Sequence, residues 1–227
     1  FRAWFYYTKL RQYGEVPWFE HQLQPDEEDL MYKDRDSRDV IIRNIIADLD
    51  FAYEHISTTS SIGNSLVSKY AAAALKSRIC LFEASFRKYH ADEPEIAALK
   101  EYTPEDLYTE AANAARKVID SRIYSLNTTG ETPYRDLFTR EDPLTNENIL
   151  VLCASGTEGF LGTANWWFNV ATYGKMWSPV RSFVNTYLNT DGTRFTDQAD
   201  YGRKTFAEEL VGRDKRLEQC IRGLNYL

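Results

Sequence analysis

Cysteine is scarce in this sequence, and its spacing excludes two kinds of site. The chain of 227 residues has three widely separated cysteines, Cys80, Cys153 and Cys220. No C-x-x-C pair occurs, so the sequence offers neither the ligand spacing of a structural zinc site nor a dithiol redox motif. We therefore expect the three thiols to act as small apolar side chains buried in the core.

Long hydrophobic runs and an excess of positive charge are also lacking. No apolar run approaches the roughly 20 residues that a membrane-spanning helix requires. The 27 lysines and arginines are outnumbered by 34 aspartates and glutamates, which gives a net charge of −7. An acidic surface repels phosphate backbones and anionic lipid surfaces, so we expect no nucleic-acid partner and no basic membrane-binding patch.

Motifs for nucleophilic, metal-dependent or nucleotide chemistry are lacking as well. The sequence contains no G-x-S-x-G, no H-E-x-x-H and no P-loop. The histidines are isolated in sequence, and we expect solvation or local hydrogen bonds for His21, His55 and His90. The segment 189–197 faintly resembles a calcium loop, but the bidentate glutamate of such loops is absent. These motifs therefore offer no catalytic residue, and we assign no metal or cofactor.

The first half of the sequence does contain helical periodicity. Apolar residues recur three or four positions apart up to Gly14, which ends the first helix, and again over Ile42–Ile56. A third helix is predicted over about Leu66–Tyr89, where the alanines at 71–74 allow a neighbouring helix to approach closely. A fourth helix is predicted to begin with an N-cap, a proline at the first helical position and an acid at the third, in the segment Thr103-Pro104-Glu105-Asp106.

These helices predict a mainly α fold, with TPR-like helical hairpins over residues 1–126. The side chains of Trp4 and Trp18 are expected to pack in the core or at helix ends. Residues 127–227 lack comparable periodicity, and we expect them to form a loop-rich, ligand-facing region of the same fold with short strands and helices. The apolar run Ile149–Ala154 is typical of a buried strand.

Helical periodicity does not explain a cluster of aromatic residues in the second half. Within twelve residues, among flanks rich in glycine, serine, threonine and asparagine, the chain carries Trp166, Trp167, Phe168, Tyr173 and Trp177. Sugar rings present C–H faces that stack on aromatic side chains, and each such contact contributes roughly 1 kcal/mol. Sugar hydroxyls also need polar partners, which are available from Asn165, Asn169 and Arg181.

Two interpretations of this segment remain open. Its rings contact a glycan, or they fold back onto the core or onto a partner protein. The candidate glycan contacts are the rings of Trp166, Trp167, Tyr173 and Trp177 and the polar groups of Asn165, Asn169 and Arg181.

Several short motifs in a consistent order resemble the SusD/RagB family across nearly the full chain. The first lies in residues 2–17, where Arg-Ala-Trp-Phe-Tyr-Tyr is followed by Tyr-Gly-Glu-Val-Pro. Others are Asp48-Leu49 with Ala52, Tyr70-Ala71-Ala72 with Ala74-Leu75, Tyr124 with Leu126, Asp191-Gly192, and Arg213-Asp214-Lys215-Arg216-Leu217. The departures from the family pattern are single changes: Glu15 for Asp, Ser77 for Ala, Arg122 for Gly and Lys215 for Pro. In the last motif, we expect the two arginines beside Asp214 to bridge loop carbonyls.

The resemblance implies a non-catalytic protein that binds oligosaccharide at the bacterial cell surface. Members of this family deliver their ligand to a SusC-like TonB-dependent transporter, and some carry other nutrients, including peptides. They are outer-membrane lipoproteins attached through an N-terminal lipid anchor. No anchor or signal peptide is visible here, and the first residues resemble the middle of a helix, so we expect a fragment that lacks both ends of the protein.

Two other functions stay open on the residues alone. A TPR-like scaffold would bind a protein or peptide in its helical groove, and the tryptophan-rich segment would then be structural. An α-helical glycosidase also combines aromatic residues with acids. Such an enzyme needs two carboxylates facing each other across a cleft, which sequence spacing does not reveal.

Overall fold

The computed structural model of the protein describes residues 1–58, 64–140, 142–152, 178–221 and 223. The prediction of a mainly α fold is confirmed. Within these ranges the regular elements are helices, and β-pairing is limited to isolated bridges. The α-helices are α1 (Arg2–Tyr13), α2 (Glu28–Met31), α3 (Arg38–His55), α4 (Lys69–Tyr89), α5 (Pro94–Ala97), α6 (Pro104–Asp120), α7 (Pro133–Thr139), α8 (Arg181–Val184), α9 (Phe206–Glu209) and α10 (Lys215–Cys220).

Two helix boundaries follow directly from single residues. α1 ends where Gly14 adopts a φ of 73°, a left-handed conformation that glycine accepts without strain. α4 begins slightly later than the predicted Leu66, because Ser68 is its N-cap. The Ser68 hydroxyl accepts a hydrogen bond from the backbone N–H of Ala71 at 3.2 Å.

The predicted start of the fourth long helix is confirmed. The Thr103 hydroxyl accepts a hydrogen bond from the Asp106 N–H at 3.1 Å, and the Asp106 carboxylate accepts one from the Thr103 N–H at 2.9 Å. This reciprocal pair is a capping box, and it satisfies N–H groups that α6 would otherwise leave without a partner.

By their internal contacts the described residues form two compact units. The first comprises Phe1–Ser125 with Asn148–Val151, and the second comprises Leu126–Glu147 with the described part of Leu152–Leu227. In the first unit α1 packs against α3, α3 against α4, and α4 against α6, so the long helices lie in a row. Their apolar faces form one core, which includes Leu10, Ile41, Ile42, Ile45, Leu49, Ile79, Ala84 and Leu107.

The two tryptophans of the first unit pack in different places. Trp18 is buried and stacks on Tyr6 with ring centroids 4.0 Å apart, as predicted. Trp4 is 48% exposed and so lies outside the core, in the first turn of α1, where the centroid of its ring is 6.1 Å from that of Tyr7. It follows Ala3 of the buried stripe by one residue, which places it about 100° around the helix from that stripe.

Charged side chains are also buried in the first unit, and they are paired. Glu83 is fully buried and accepts hydrogen bonds from Arg38 Nε and Arg87 Nε, each at 3.0 Å. Arg87 donates to Asp39 at 2.8 Å, and the other Asp39 oxygen accepts the backbone N–H groups of residues 100 and 101. Burial alone would raise the pKa of Asp39, but these hydrogen bonds outweigh burial and hold the pKa below its ordinary value. The network connects α3 and α4 to the segment before α6.

The described part of the second unit consists of short helices and turns. Arg213 is 1% exposed, and its guanidinium carbon lies 3.8 Å from the ring centroid of Phe195. A small apolar cluster contains Val184, Leu210 and Leu217, with Tyr187 and Ile221 packed against it. The interior of this unit is therefore filled by a buried guanidinium as well as by apolar side chains.

The expected strand at Ile149–Ala154 is not present in its described part, residues 149–152. The Val151 N–H donates to the Asn64 carbonyl at 3.0 Å rather than to a neighbouring strand, and Leu152 is 84% exposed. Ala154 lies outside the described residues. The apolar run therefore predicted the wrong local structure, because no adjacent described segment offers it a continuous ladder.

Of the two described cysteines, one is buried as expected and the other is exposed. Cys80 is buried as expected, and burial raises the pKa of its thiol to about 12. Cys220 is exposed, which contradicts the expectation of a buried side chain. Cys153 lies outside the described residues.

Candidate functional site

The predicted glycan contacts fall mostly in a segment that the structure does not describe. Outside the described residues lie Asn165, Trp166, Trp167, Asn169, Tyr173 and Trp177. Their grouping around a ligand therefore stays a prediction. Arg181 is the predicted contact that the structure does describe.

Arg181 is the first residue of α8, and its side chain is 54% exposed. Its Nη2 donates a hydrogen bond to Oε1 of Glu209, whose side chain is only 12% exposed. The pair orients the guanidinium while leaving about half of the side chain accessible. A guanidinium carries five N–H donors in a fixed plane, which suits it to hold a hydroxyl or a carboxylate of a ligand.

A buried arginine holds the two helices that carry this pair. Arg213 donates from Nη1 to the carbonyl of Glu209 and from Nη2 to the carbonyl of Val184, each at 2.9 Å. Val184 ends α8 and Glu209 ends α9. Nη2 also donates to the Tyr187 carbonyl at 2.9 Å. The expectation that Arg213 bridges loop carbonyls is therefore confirmed, and through these bonds it positions Arg181.

Arg216 was expected to bridge loop carbonyls, but it pairs with a neighbouring side chain instead. Its guanidinium pairs with the carboxylate of Asp214, with Nε at 3.0 Å from Oδ1. This hydrogen bond lowers the pKa of Asp214 and raises that of Arg216. Arg216 therefore holds its neighbour Asp214, which is the N-cap of α10, rather than a loop carbonyl.

A cleft of about 520 Å³ lies beside the turn at residues 189–198, with Gly212 on its other side. Asp191 accepts hydrogen bonds from the N–H of Thr193 at 2.9 Å and from its hydroxyl at 2.6 Å, and these bonds lower the pKa of Asp191. The carboxylate that resembled a calcium ligand is thus part of the turn itself. Among the described residues, no group of three or more histidines, cysteines or acids could hold a metal ion.

A second concave surface lies in the first unit and was not predicted from the sequence. Residues of α3, α4 and α6 line a groove of about 360 Å³. Lys76 lies in it with only 9% of its side chain exposed, and its Nζ is 2.8 Å from both oxygens of Asp50 and 2.7 Å from Oε2 of Glu110. The side chains of Asp50 and Glu110 are 44% and 38% exposed, so both carboxylates face solvent as well as Lys76.

The electrostatics of this groove favour the charged lysine. Burial alone would lower the pKa of Lys76, but the hydrogen bonds that Lys76 donates to Asp50 and Glu110 outweigh burial and raise the pKa above its ordinary value. Lys76 is therefore protonated at neutral pH and holds both carboxylates in place. The only sequence signal for this arrangement was a lysine within a helix otherwise rich in alanine.

The three histidines bond to near neighbours in sequence, as expected. His21 lies 2.8 Å from Glu27, His90 lies 2.7 Å from Glu93, and His55 Nδ1 lies 2.8 Å from the Phe51 carbonyl. These local contacts explain the positions of the three histidines without a reacting partner.

Within the described ranges, no helix has both the length and the apolar character needed to cross a membrane.

Two solved structures share the fold of this chain. One is a SusD-like carbohydrate-binding protein from Bacteroides fragilis, which matches over 96% of this chain with a TM-score of 0.66 and 20% sequence identity. The other is a SusD-like protein from the same species, which also matches over 96%, with a TM-score of 0.63 and 22% identity. The chain therefore has the fold of SusD-like proteins, as the sequence motifs predicted.

The likeness extends over part of those proteins only. This chain spans 38% of the first structure's chain and 40% of the second's. No protein-family model matches the sequence, and no curated protein matches it.

Proposed function

We propose that this chain is part of a receptor that binds an oligosaccharide at the bacterial cell surface and passes it on to a SusC-like TonB-dependent transporter. The observation that carries the proposal is the fold, shared over 96% of the chain with a solved SusD-like protein described as carbohydrate-binding. The ordered sequence motifs support the same conclusion. In this proposal the whole protein is an outer-membrane lipoprotein.

The aromatic segment is the proposed site of glycan contact. Its rings, Trp166, Trp167, Tyr173 and Trp177, offer faces for the C–H groups of sugars, and its asparagines offer amide donors and acceptors. Arg181 follows this segment closely in sequence, and the described part of the site supports its role. Its guanidinium is half-exposed and oriented by Glu209, so a hydroxyl of the ligand meets a donor that is already in place.

The task of this site is selection by shape rather than bond cleavage. Aromatic faces and neutral amides recognise a sugar without activating water or protonating a glycosidic oxygen. The bound glycan would therefore leave the site chemically unchanged. Product analysis after prolonged incubation with the bound glycan checks this point, because a glycosidase would release shorter fragments.

The deciding experiment compares glycan-array binding by the full-length protein with binding by its Trp166→Ala/Trp167→Ala/Trp177→Ala variant. Loss of three stacking contacts at roughly 1 kcal/mol each lowers the affinity by about a hundredfold. Trp4→Ala is the matched control, since this exposed tryptophan lies on α1, and we expect it to bind as the wild type does. Circular dichroism verifies that all three proteins fold.

The outcomes separate the competing functions. Selective binding that the triple variant weakens by about a hundredfold supports a glycan receptor with its main site in the aromatic segment. Binding by the triple variant that is as tight as that of the wild type removes the site from that segment. A wild-type protein that binds no glycan overturns the proposed function and favours the peptide-binding scaffold.

A further inference from the structure

The groove between α3, α4 and α6 has the features of a ligand site, and neither the aromatic segment nor the fold likeness accounts for it. Its volume of about 360 Å³ lies within the range of small-molecule sites. Lys76 is buried, and its Nζ contacts Asp50 at 2.8 Å and Glu110 at 2.7 Å. Two carboxylates are thus held at fixed positions by a single ammonium group that solvent barely reaches.

These carboxylates keep acceptor capacity beyond Lys76. An ionised carboxylate has about four lone-pair positions, and the ammonium group of Lys76 has three hydrogens to share between two carboxylates. Because the Asp50 and Glu110 side chains are 44% and 38% exposed, their remaining positions are open to solvent. Asn113 adds an exposed amide to the same groove, with two donors and an acceptor.

Two further ammonium groups lie at the aromatic ring of the groove. The Nζ atoms of Lys69 and Lys117 lie 4.4 Å and 4.3 Å from the ring centroid of Tyr53. Tyr53 and Lys117 both line the groove. The groove therefore has hydrogen-bond acceptors in the carboxylates that pair with Lys76, and hydrogen-bond donors in the ammonium groups beside the ring of Tyr53.

The balance of charge indicates the class of ligand. Three carboxylates line the groove, those of Asp50, Glu54 and Glu110. They are balanced by three ammonium groups, those of Lys76 and Lys117 in the lining and that of Lys69 beside the ring of Tyr53. A cationic ligand would compete with these ammonium groups for the carboxylates, and an anionic ligand would compete with the carboxylates for the ammonium groups. A neutral ligand rich in hydroxyl groups meets neither penalty, because its hydroxyls both donate and accept.

We infer that this groove binds a short stretch of neutral oligosaccharide and so provides a glycan contact within the first unit. Asp50, Glu110 and Asn113 accept or donate hydrogen bonds to the sugar hydroxyls. This inference rests on the proposed function, since it takes the same class of ligand. It differs in location, because every residue that carries it belongs to the first unit.

The test uses the full-length protein and short neutral oligosaccharides of glucose, xylose, mannose and galactose, titrated one by one in a calorimeter. The background is the Trp166→Ala/Trp167→Ala/Trp177→Ala variant, in which the aromatic segment no longer contributes its tryptophan rings. Asn113→Trp then fills the groove from an exposed position on α6. Ala112→Trp is the matched control, an equally bulky change at the neighbouring exposed position, which does not line the groove.

We expect the triple variant to retain binding of at least one oligosaccharide. Adding Asn113→Trp lowers that affinity at least tenfold, and adding Ala112→Trp leaves it unchanged. If the wild type binds glycan but Asn113→Trp has no effect, or if both α6 variants lose binding equally, the groove is not the site and the proposed function stands. If the triple variant binds none of the oligosaccharides while the wild type does, the groove inference fails alone. If the wild type binds none, both proposals fail.

Discussion

The two units of this protein reach a buried interior by different means. In the first, α3, α4 and α6 are 18, 21 and 17 residues long, and they bury apolar faces in one core. In the second, the described α-helices have four to seven residues, which is too short for a helix to be stable in isolation. Long helices satisfy most of their own backbone groups, whereas short helices consist largely of unsatisfied ends.

Buried charge therefore serves a different purpose in each unit. In the first, Glu83 lies between Arg38 and Arg87, so buried side chains neutralise one another across two helices. In the second, Arg213 donates to backbone carbonyls at the ends of α8 and α9, so one side chain supplies donors that the short helices lack. The first unit should be sensitive to the balance of buried charge, and the second to the loss of donors.

The largest expected effect is that of Glu83→Gln. The substitution keeps the shape of the side chain but removes the charge that neutralises Arg38 and Arg87. Removing one partner of a buried ion pair costs about 3–5 kcal/mol. We expect destabilisation of this size in the first unit, measured by hydrogen exchange in peptides from α3 and α4 across a denaturant series.

Glu101→Gln is the control for this prediction. Glu101 pairs with Arg43 at 2.7 Å, but the two side chains are 37% and 49% exposed. A solvent-exposed pair contributes at most about 1 kcal/mol, so the control should stay close to the wild type. Equal effects of the two substitutions would show that burial of the Glu83 network is not what stabilises the first unit.

Arg213→Met is expected to have the next largest effect, and it should act on the second unit alone. Methionine fills similar volume but leaves three backbone carbonyls without their donor. Hydrogen bonds from a charged group contribute about 1.5–3 kcal/mol each, with partial compensation by water, so we expect a loss of about 3 kcal/mol. Hydrogen exchange in residues 181–187 and 206–210 should accelerate while exchange in α3 and α4 stays unchanged.

Arg216→Met is the matched control, because Arg216 is exposed and pairs only with its neighbour Asp214 among the described residues. We expect little change in the same peptides. Faster exchange in α3 and α4 of the Arg213 variant would break the comparison, since it would mean that the units do not unfold separately.

The same contrast explains what could be predicted from the sequence. The long helices were predictable because periodicity is a local property: Ile42, Ile45 and Leu49 recur at helical spacing and are buried. The start of α6 was predictable because a capping box is a local hydrogen-bonding pattern. The apolar run at 149–152 gave the wrong structure because a strand needs a partner, and a sequence does not show whether a partner lies beside it.

The candidate sites were predictable to a smaller degree. Arg213 was recognised as a bridge between carbonyls because it belongs to a motif. The groove at Lys76 was missed because Asp50 and Glu110 lie 26 and 34 residues away from it in sequence, on other helices. The Glu83 network was missed for the same reason, since Arg38 precedes it by 45 residues. Contacts between distant residues are set by packing, and composition and spacing do not reveal them.

The smallest expected effect concerns two helix starts that look alike in sequence, Thr103 before α6 and Thr205 before α9. Both starts are capping boxes. In each, the carboxylate at the third helical position accepts hydrogen bonds from the N–H and the hydroxyl of the threonine, at 2.9 and 2.7 Å for Asp106 and at 2.8 Å for both bonds of Glu208. Thr103→Ala should destabilise α6 by about 1 kcal/mol, because α6 loses the hydroxyl that accepts the Asp106 N–H at 3.1 Å. Thr205→Ala should have a smaller effect, because α9 has only four residues and Arg213 holds its other end through the Glu209 carbonyl. Hydrogen exchange in the first turns of both helices measures the difference. Equal effects would mean that helix length and the Arg213 contact do not decide what a cap contributes, and the contrast between long cooperative helices and short helices held by a side chain would not extend to their ends.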